Sequence, residues 1–110
     1  MQELIRIQEV NNQRVVSARE LQTTLRSNRD FSSWVKQRIG ELELEENKDY
    51  FTLTKIVVRA KRKEYYLSID SAKEFCIVER NDIGKKIRKY LINTEDDRKQ
   101  GILKNDDEIL

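Results

Sequence analysis

Residues 50–69 read YFTLTKIVVRAKRKEYYLSI, and the reading of this stretch decides the fold. Tyr50 to Val58 and Glu64 to Ile69 are rich in aromatic and β-branched residues, which suit a pleated, half-buried surface. Between them Arg59-Ala60-Lys61-Arg62-Lys63 carries no acid and no large apolar side chain. Two strands joined over so short a polar link form an antiparallel hairpin, here with a basic tip.

Working outward, the acidic stretch 43–49 reads as a loop. Before it, Asp30 caps a helix over 31–42, in which Phe31, Trp34, Val35, Ile39 and Leu42 share one arc at helical spacing. Ser17-Ala18-Arg19-Glu20 is a capping box that opens a helix over 18–26. Residues 4–10 alternate Ile5 and Ile7 with Arg6 and Gln8, Asn11-Asn12 tolerates a turn with positive φ, and NQRVVS returns as a second strand. On the other side Ser71-Ala72-Lys73-Glu74 is a second capping box, with Asp70 or Ser71 as the cap. Ala72, Phe75, Cys76 and Val78 carry that helix's apolar side. A last helix runs from about 82 to at least 94 and aligns Ile83, Ile87, Tyr90 and Leu91. The order ββ-αα-ββ-αα predicts an α+β fold: a small single domain of two antiparallel β-hairpins and about four α-helices. Residues 1–95 form the expected domain. Residues 96–110 form an acidic C-terminal tail, either frayed or truncated before a further domain.

The composition removes most chemistry. The chain has 110 residues, no His, one Cys and three Gly. Without His there is no Ser-His-Asp triad, Cys-His dyad or His-metal site. One Cys excludes an internal disulfide and paired-Cys zinc sites. Neither G-x-G-x-x-G nor G-x-x-x-x-G-K-[ST] occurs. Asp30 with Glu46-Asn47-Lys48 fits a nuclease spacing only nominally, because the carboxylates fall on a helix cap and in a loop rather than on adjacent ordered backbone. The expectation is a binding protein without cofactor or metal, not an enzyme. No apolar run approaches the length of a membrane span, so the cytoplasm is the expected location. The formal net charge is +2 with a mean hydropathy of −0.80, and the charges are segregated. Bases concentrate at 55–63, and acids at 41–49 and beyond Glu95.

Several motifs occur in order: Val16-Ser-Ala-Arg-Glu-Leu21, Phe31-x-x-Trp34-x-Lys36-x-Arg38-Ile39, Asp49-Tyr50-Phe51, Glu64-Tyr-Tyr-Leu67-x-x-Asp70-x-Ala72-Lys-Glu74 and Val78-Glu-Arg-Asn81-x-x-Gly84-x-x-x-Arg88-x-Tyr90. Over about residues 15–95 the chain resembles the AntA/AntB antirepressor domain of bacteriophages, a family similar to KilA-N and BRO-N domains. The resemblance implies a phage or prophage regulator in the bacterial host cytoplasm. Such a regulator relieves repression of lytic genes by antagonising a repressor protein. Relatives often carry a Gly- and Pro-containing basic turn where this chain has Arg-Ala-Lys-Arg-Lys.

Four groups of residues are candidates for function. Lys61, Arg62 and Lys63, flanked by Lys55 and Arg59, either follow a phosphate backbone or form a solvated hairpin that discourages edge pairing. Lys36 and Gln37, with Ser33, lie on the polar arc of the second helix, either as a DNA-reading face or as a wet surface. Lys85, Arg88 and Lys89 lie on one face of the last helix, for phosphate, for a repressor or for solvent. Arg38 and Glu79, opposite charges on two core-facing arcs, are a candidate structural ion pair. Tyr66 falls on the strand face opposite Tyr65, toward solvent. Three readings follow. The chain binds and inactivates a repressor, with its acidic loop at 41–49 and its acidic tail approaching the repressor's basic DNA-contacting face. Alternatively it binds DNA itself through the hairpin tip and a helix face. In a third reading it is a homo-oligomerisation module.

Overall fold

The computed structural model describes residues 4–94. The expected domain boundary at 95 and the acidic tail lie outside the described residues. The chain runs β1 (Ile7–Val10), β2 (Gln13–Ser17), α1 (Ala18–Leu25), α2 (Phe31–Glu41), β3 (Tyr50–Val57), β4 (Ala60–Ser68) and α3 (Ile69–Glu79). A further helix, α4, occupies residues 82–94.

The two hairpins do not stand apart. β2 pairs antiparallel with β4, which makes one four-stranded sheet of order β1-β2-β4-β3. Ile7 opposes Val16, Val16 opposes Leu67, and Leu67 opposes Tyr50. Partners in a ladder share a face, so these four residues form an apolar row across the sheet. Trp34, Val35, Leu21, Leu25, Phe75, Ile87 and Leu91 pack in the same core as this row. All of these helical side chains are at most 1% exposed. Burying them against the row supplies the main force that joins the hairpins.

Local chemistry sets the ends of the elements. Asn11 and Asn12 take φ of 53° and 64°, the left-handed values of a two-residue hairpin turn. Ser17 Oγ accepts from the Glu20 amide and caps α1. The reciprocal half of the box is not made, because the Glu20 carboxylate turns to Arg6 at 3.4 Å. The cap of α3 is Ser68 rather than Asp70 or Ser71: the Ser71 amide donates to Ser68 Oγ at 3.1 Å. The helix therefore starts at Ile69, which puts Ile69 itself on the buried side with Ala72, Phe75 and Cys76. Asn81 Oδ1 accepts from the Gly84 amide at 2.7 Å and caps α4, while its amide donates to the Leu25 carbonyl at the end of α1. Among the described residues no helix is long and apolar enough to cross a membrane.

Candidate interaction surface

β2 reaches β4 only at residues 66–68. Beyond that point β3 and β4 continue alone as a two-stranded arm, from Leu53 opposite Glu64 to Val57 opposite Ala60. Every residue from Leu53 to Lys63 is exposed. A lone hairpin is marginal in water, so the arm needs an anchor. Glu64, 5% exposed, provides one. Arg19 Nε of α1 donates to both its carboxylate oxygens at 3.0 and 3.1 Å, and Arg62 Nε donates to Oε1 at 2.8 Å. The Arg19 guanidinium also lies 4.1 Å from the centre of the Phe31 ring, which ties α1, α2 and β4 at the arm's root.

The expected basic tip is corrected in position. The turn is Val58-Arg59, with φ of 34° and 65°, and Lys61, Arg62 and Lys63 stand inside β4. The ladder pairs Tyr50 with Leu67 at the root, and continuing that register outward closes the hairpin two residues after Val57. The strand alternation then splits the cations. Lys55 and Arg62 oppose each other on one face, with Leu53, Val57 and Ala60. Lys61 and Lys63 lie on the other, with Thr54 and Ile56.

The second face meets α2. Lys36, Lys61 and Lys63 line one groove of about 410 Å³ together with Arg19, Asp30 and Tyr65. Lys63 Nζ lies 5.2 Å from the centre of the Tyr65 ring. Asp30, the cap of α2, tempers this field. The Ser33 amide and then the Ser33 hydroxyl hold its carboxyl below the usual carboxylate range, so it stays ionised. Gln37 is occupied elsewhere: it donates to Glu41 at 2.7 Å and accepts from Arg29. Lys85 and Arg88 line a separate recess with Ile77 and Arg80, which has no arm residue in its lining. Lys89 is exposed on the same helix. Arg38 and Glu79 are brought together at 3.2 Å, each side chain 13% exposed. Tyr66, expected at the surface, is 6% exposed, on the face lined by Lys55, Arg62 and Glu64.

Sequence reasoning missed the apolar character of the tip. Ile56 is 80% exposed and Val58 89% exposed. The signal was present, since Ile56-Val57-Val58 directly precedes Arg59, but β-branched residues in a run read simply as strand. It also missed Arg19 and Glu64 as the arm's anchor. Neither residue has a local pattern that names a partner more than forty positions away.

Among the described residues no group of His, Cys, Asp and Glu is placed to hold a metal ion. No curated protein and no solved structure matches the chain. Residues 16–81, from the end of the first hairpin through the arm and α3, match the family model described as AntA/AntB antirepressor. That span exceeds half of the chain and contains the whole arm. The chain therefore belongs to the AntA/AntB antirepressor family.

Proposed function

We propose that this chain relieves phage repression by binding a repressor protein, and that the β3–β4 arm is the contacting element. The family is a regulatory, non-enzymatic one of antirepressors, and its membership supports the first half of the reading. One observation carries the second. Val58 is β-branched, holds a φ of 34° and is 89% exposed. A β-branched residue in that region is strained, and stability alone favours Asn or Gly there. Strain retained at an exposed site points to function. Exposed apolar side chains at a projecting tip, rimmed by cations, have the makeup of a protein contact: an apolar centre with a polar rim. Repressor binding takes place in the host cytoplasm in this reading.

A second reading is supported by the groove between the arm and α2. Lys36, Lys61 and Lys63 converge there, as they would to follow a phosphate backbone. The two readings separate in one experiment. A fluorescently labelled operator duplex is bound by the repressor of the same prophage, and the chain is titrated in while anisotropy is followed. Release of the duplex, with no binding of the chain to duplex alone, is the expected result. Binding of the chain to naked duplex, weakened steeply by salt and by Lys61→Ala/Arg62→Ala/Lys63→Ala, with the repressor left in place, overturns the proposal in favour of direct DNA binding.

A further inference from the structure

We infer that Lys55 and Arg62 form a carboxylate-binding pair on one face of the arm. The repressor surface the arm engages is then an acidic segment with apolar neighbours, not the basic surface that contacts DNA. The inference rests on the reading of the arm as a protein contact and names the chemistry of that partner.

The first observation is the register. Lys55 and Arg62 are direct cross-strand partners, so their side chains leave the ladder side by side on one face. Like charges in that position disfavour the hairpin. Glu64, next but one along β4, relieves only the Arg62 side, and Lys55 lies 6.0 Å from the centre of the Tyr66 ring. An anion seated between the two cations removes the repulsion.

The second observation is how Arg62 is held. Its Nε donates to Glu64 Oε1 at 2.8 Å, and Glu64 is fixed from behind by Arg19. The guanidinium is oriented before any partner arrives. Its two Nη groups have no partner among the described residues. A planar fork with both terminal nitrogens free takes a carboxylate bidentately. The pair opens onto a groove of about 530 Å³ that Glu64 and Tyr66 also line.

The third observation selects protein over nucleic acid. Leu53 and Val57 sit on the same face, one on each side of Lys55, and are 46% and 41% exposed. A nucleic-acid strand carries a charge about every 3.4 Å along its axis. Next to the phosphate at Lys55 and Arg62 it would bring another against Leu53 or Val57, or against the Glu64 carboxylate. A protein segment with one acid between apolar side chains fits the order Leu53, Lys55, Val57 directly. Because a DNA-contacting surface must be cationic, it repels this face. The account therefore replaces the expectation that the acidic loop covers the repressor's basic surface. Within that loop Glu45 pairs with Lys48, Glu46 accepts from Thr52 and Asp49 accepts from the Glu45 amide, so three of its carboxylates already have partners inside the chain.

The test is selection of displayed random twelve-residue peptides on the immobilised full chain. The best peptide is then synthesised, and its affinity is measured by anisotropy for the wild type and for Lys55→Gln/Arg62→Gln. That variant removes the mutual repulsion but also the Arg62–Glu64 bond, while Arg19 still holds Glu64. Circular dichroism checks the fold. Lys55→Gln alone, which leaves the anchor whole, is measured beside it and is expected to bind several-fold more weakly than the wild type. The expected result is enrichment of peptides with Asp or Glu beside apolar residues, bound at least tenfold more weakly by the variant. Enriched peptides without acids, or equal binding by the variant, overturn the proposal. So does a random duplex that binds through the same two residues while no acidic peptide is enriched. The selection uses no repressor, so its failure leaves the operator-release experiment intact. Failure of operator release likewise leaves a positive selection standing.

Discussion

The indole Nε1 of Trp34 donates a hydrogen bond of 2.6 Å to Oε1 of Glu79, and Arg38 Nη2 donates to the same oxygen at 3.2 Å. One carboxylate on α3 thus receives both polar groups of α2 that face the core. Trp34 is fully buried and stacks edge-on against Phe75, with ring centres 5.2 Å apart. The three-membered contact sets how α2 sits on α3, and through Phe31 and Arg19 how the arm's root sits on α2.

Glu79→Ala leaves the Trp34 N–H without an acceptor and leaves Arg38 with Glu41, at 3.0 Å, as its remaining counter-charge. The expected loss is about 2–3 kcal/mol, below the full cost of breaking a buried pair because both charged side chains retain some solvent. Glu79→Gln keeps an acceptor for the indole and loses about 1 kcal/mol. Urea unfolding followed by Trp34 fluorescence reads both. Unmoved midpoints in both variants would show that the pair contributes nothing.

Gly84 lies in the first turn of α4, where the helix crosses the end of α3. A Cβ there would come within 2.7 Å of the Cys76 carbonyl oxygen and 3.2 Å of Asn81 Oδ1. The first neighbour is backbone and cannot swing aside. Gly84→Ala is expected to cost about 1–3 kcal/mol by forcing α4 outward. Gly40, on the exposed face of α2, has nothing within 4 Å. Gly40→Ala should instead stabilise by up to about 1 kcal/mol through helix propensity. Thermal melts of the two variants shift in opposite directions.

Burial pushes the Cys76 thiol up to about 12, with the Glu79 carboxylate adding to the shift. The thiol is therefore protonated in the folded protein across the ordinary pH range, and iodoacetamide at pH 8 labels it only as the chain unfolds. The linkage has a defined sign. The folded value is raised above the unfolded one, so stability is unaffected by this group below pH 9 and falls as pH rises from 9 toward 12. Rapid labelling of the native protein at pH 8 would contradict the burial.

The arm's turn places Val58 and Arg59 at positive φ. Replacing them with Asn and Gly, the residues that suit such a turn, should raise stability by about 1 kcal/mol. The arm would then be better folded and, lacking Val58, poorer at binding. A variant that gains stability and keeps full repressor release would remove the functional reason given for Val58.

The parts of the fold readable from sequence were those with local causes. Asn11-Asn12 announces a turn because Asn accepts left-handed φ, and Ser17 announces a cap because its hydroxyl reaches an amide three residues on. Arg38 and Glu79 stood out because each interrupts an apolar arc. The β2–β4 pairing had no such cause: Val15, Val16 and Leu67 mark buried strands but not which strand lies beside which. The turn was misplaced for a related reason. Val58-Arg59 contains neither Gly nor Asn, whereas Arg-Ala-Lys-Arg-Lys looks like a loop, and only the register begun at Tyr50 and Leu67 moves those lysines into a strand. The approach of Lys36 to Lys61 and Lys63 depends on how α2 packs, which no spacing within either segment encodes.

The most direct measurement compares the wild type with Ile56→Thr/Val58→Asn in the operator-release titration. Both positions are exposed and both replacements suit their backbone, so the variant folds. The account predicts that the wild type frees the labelled operator from the repressor while the variant requires at least tenfold more protein to do so. Equal release by the two proteins would contradict the assignment of the arm's tip as the repressor contact.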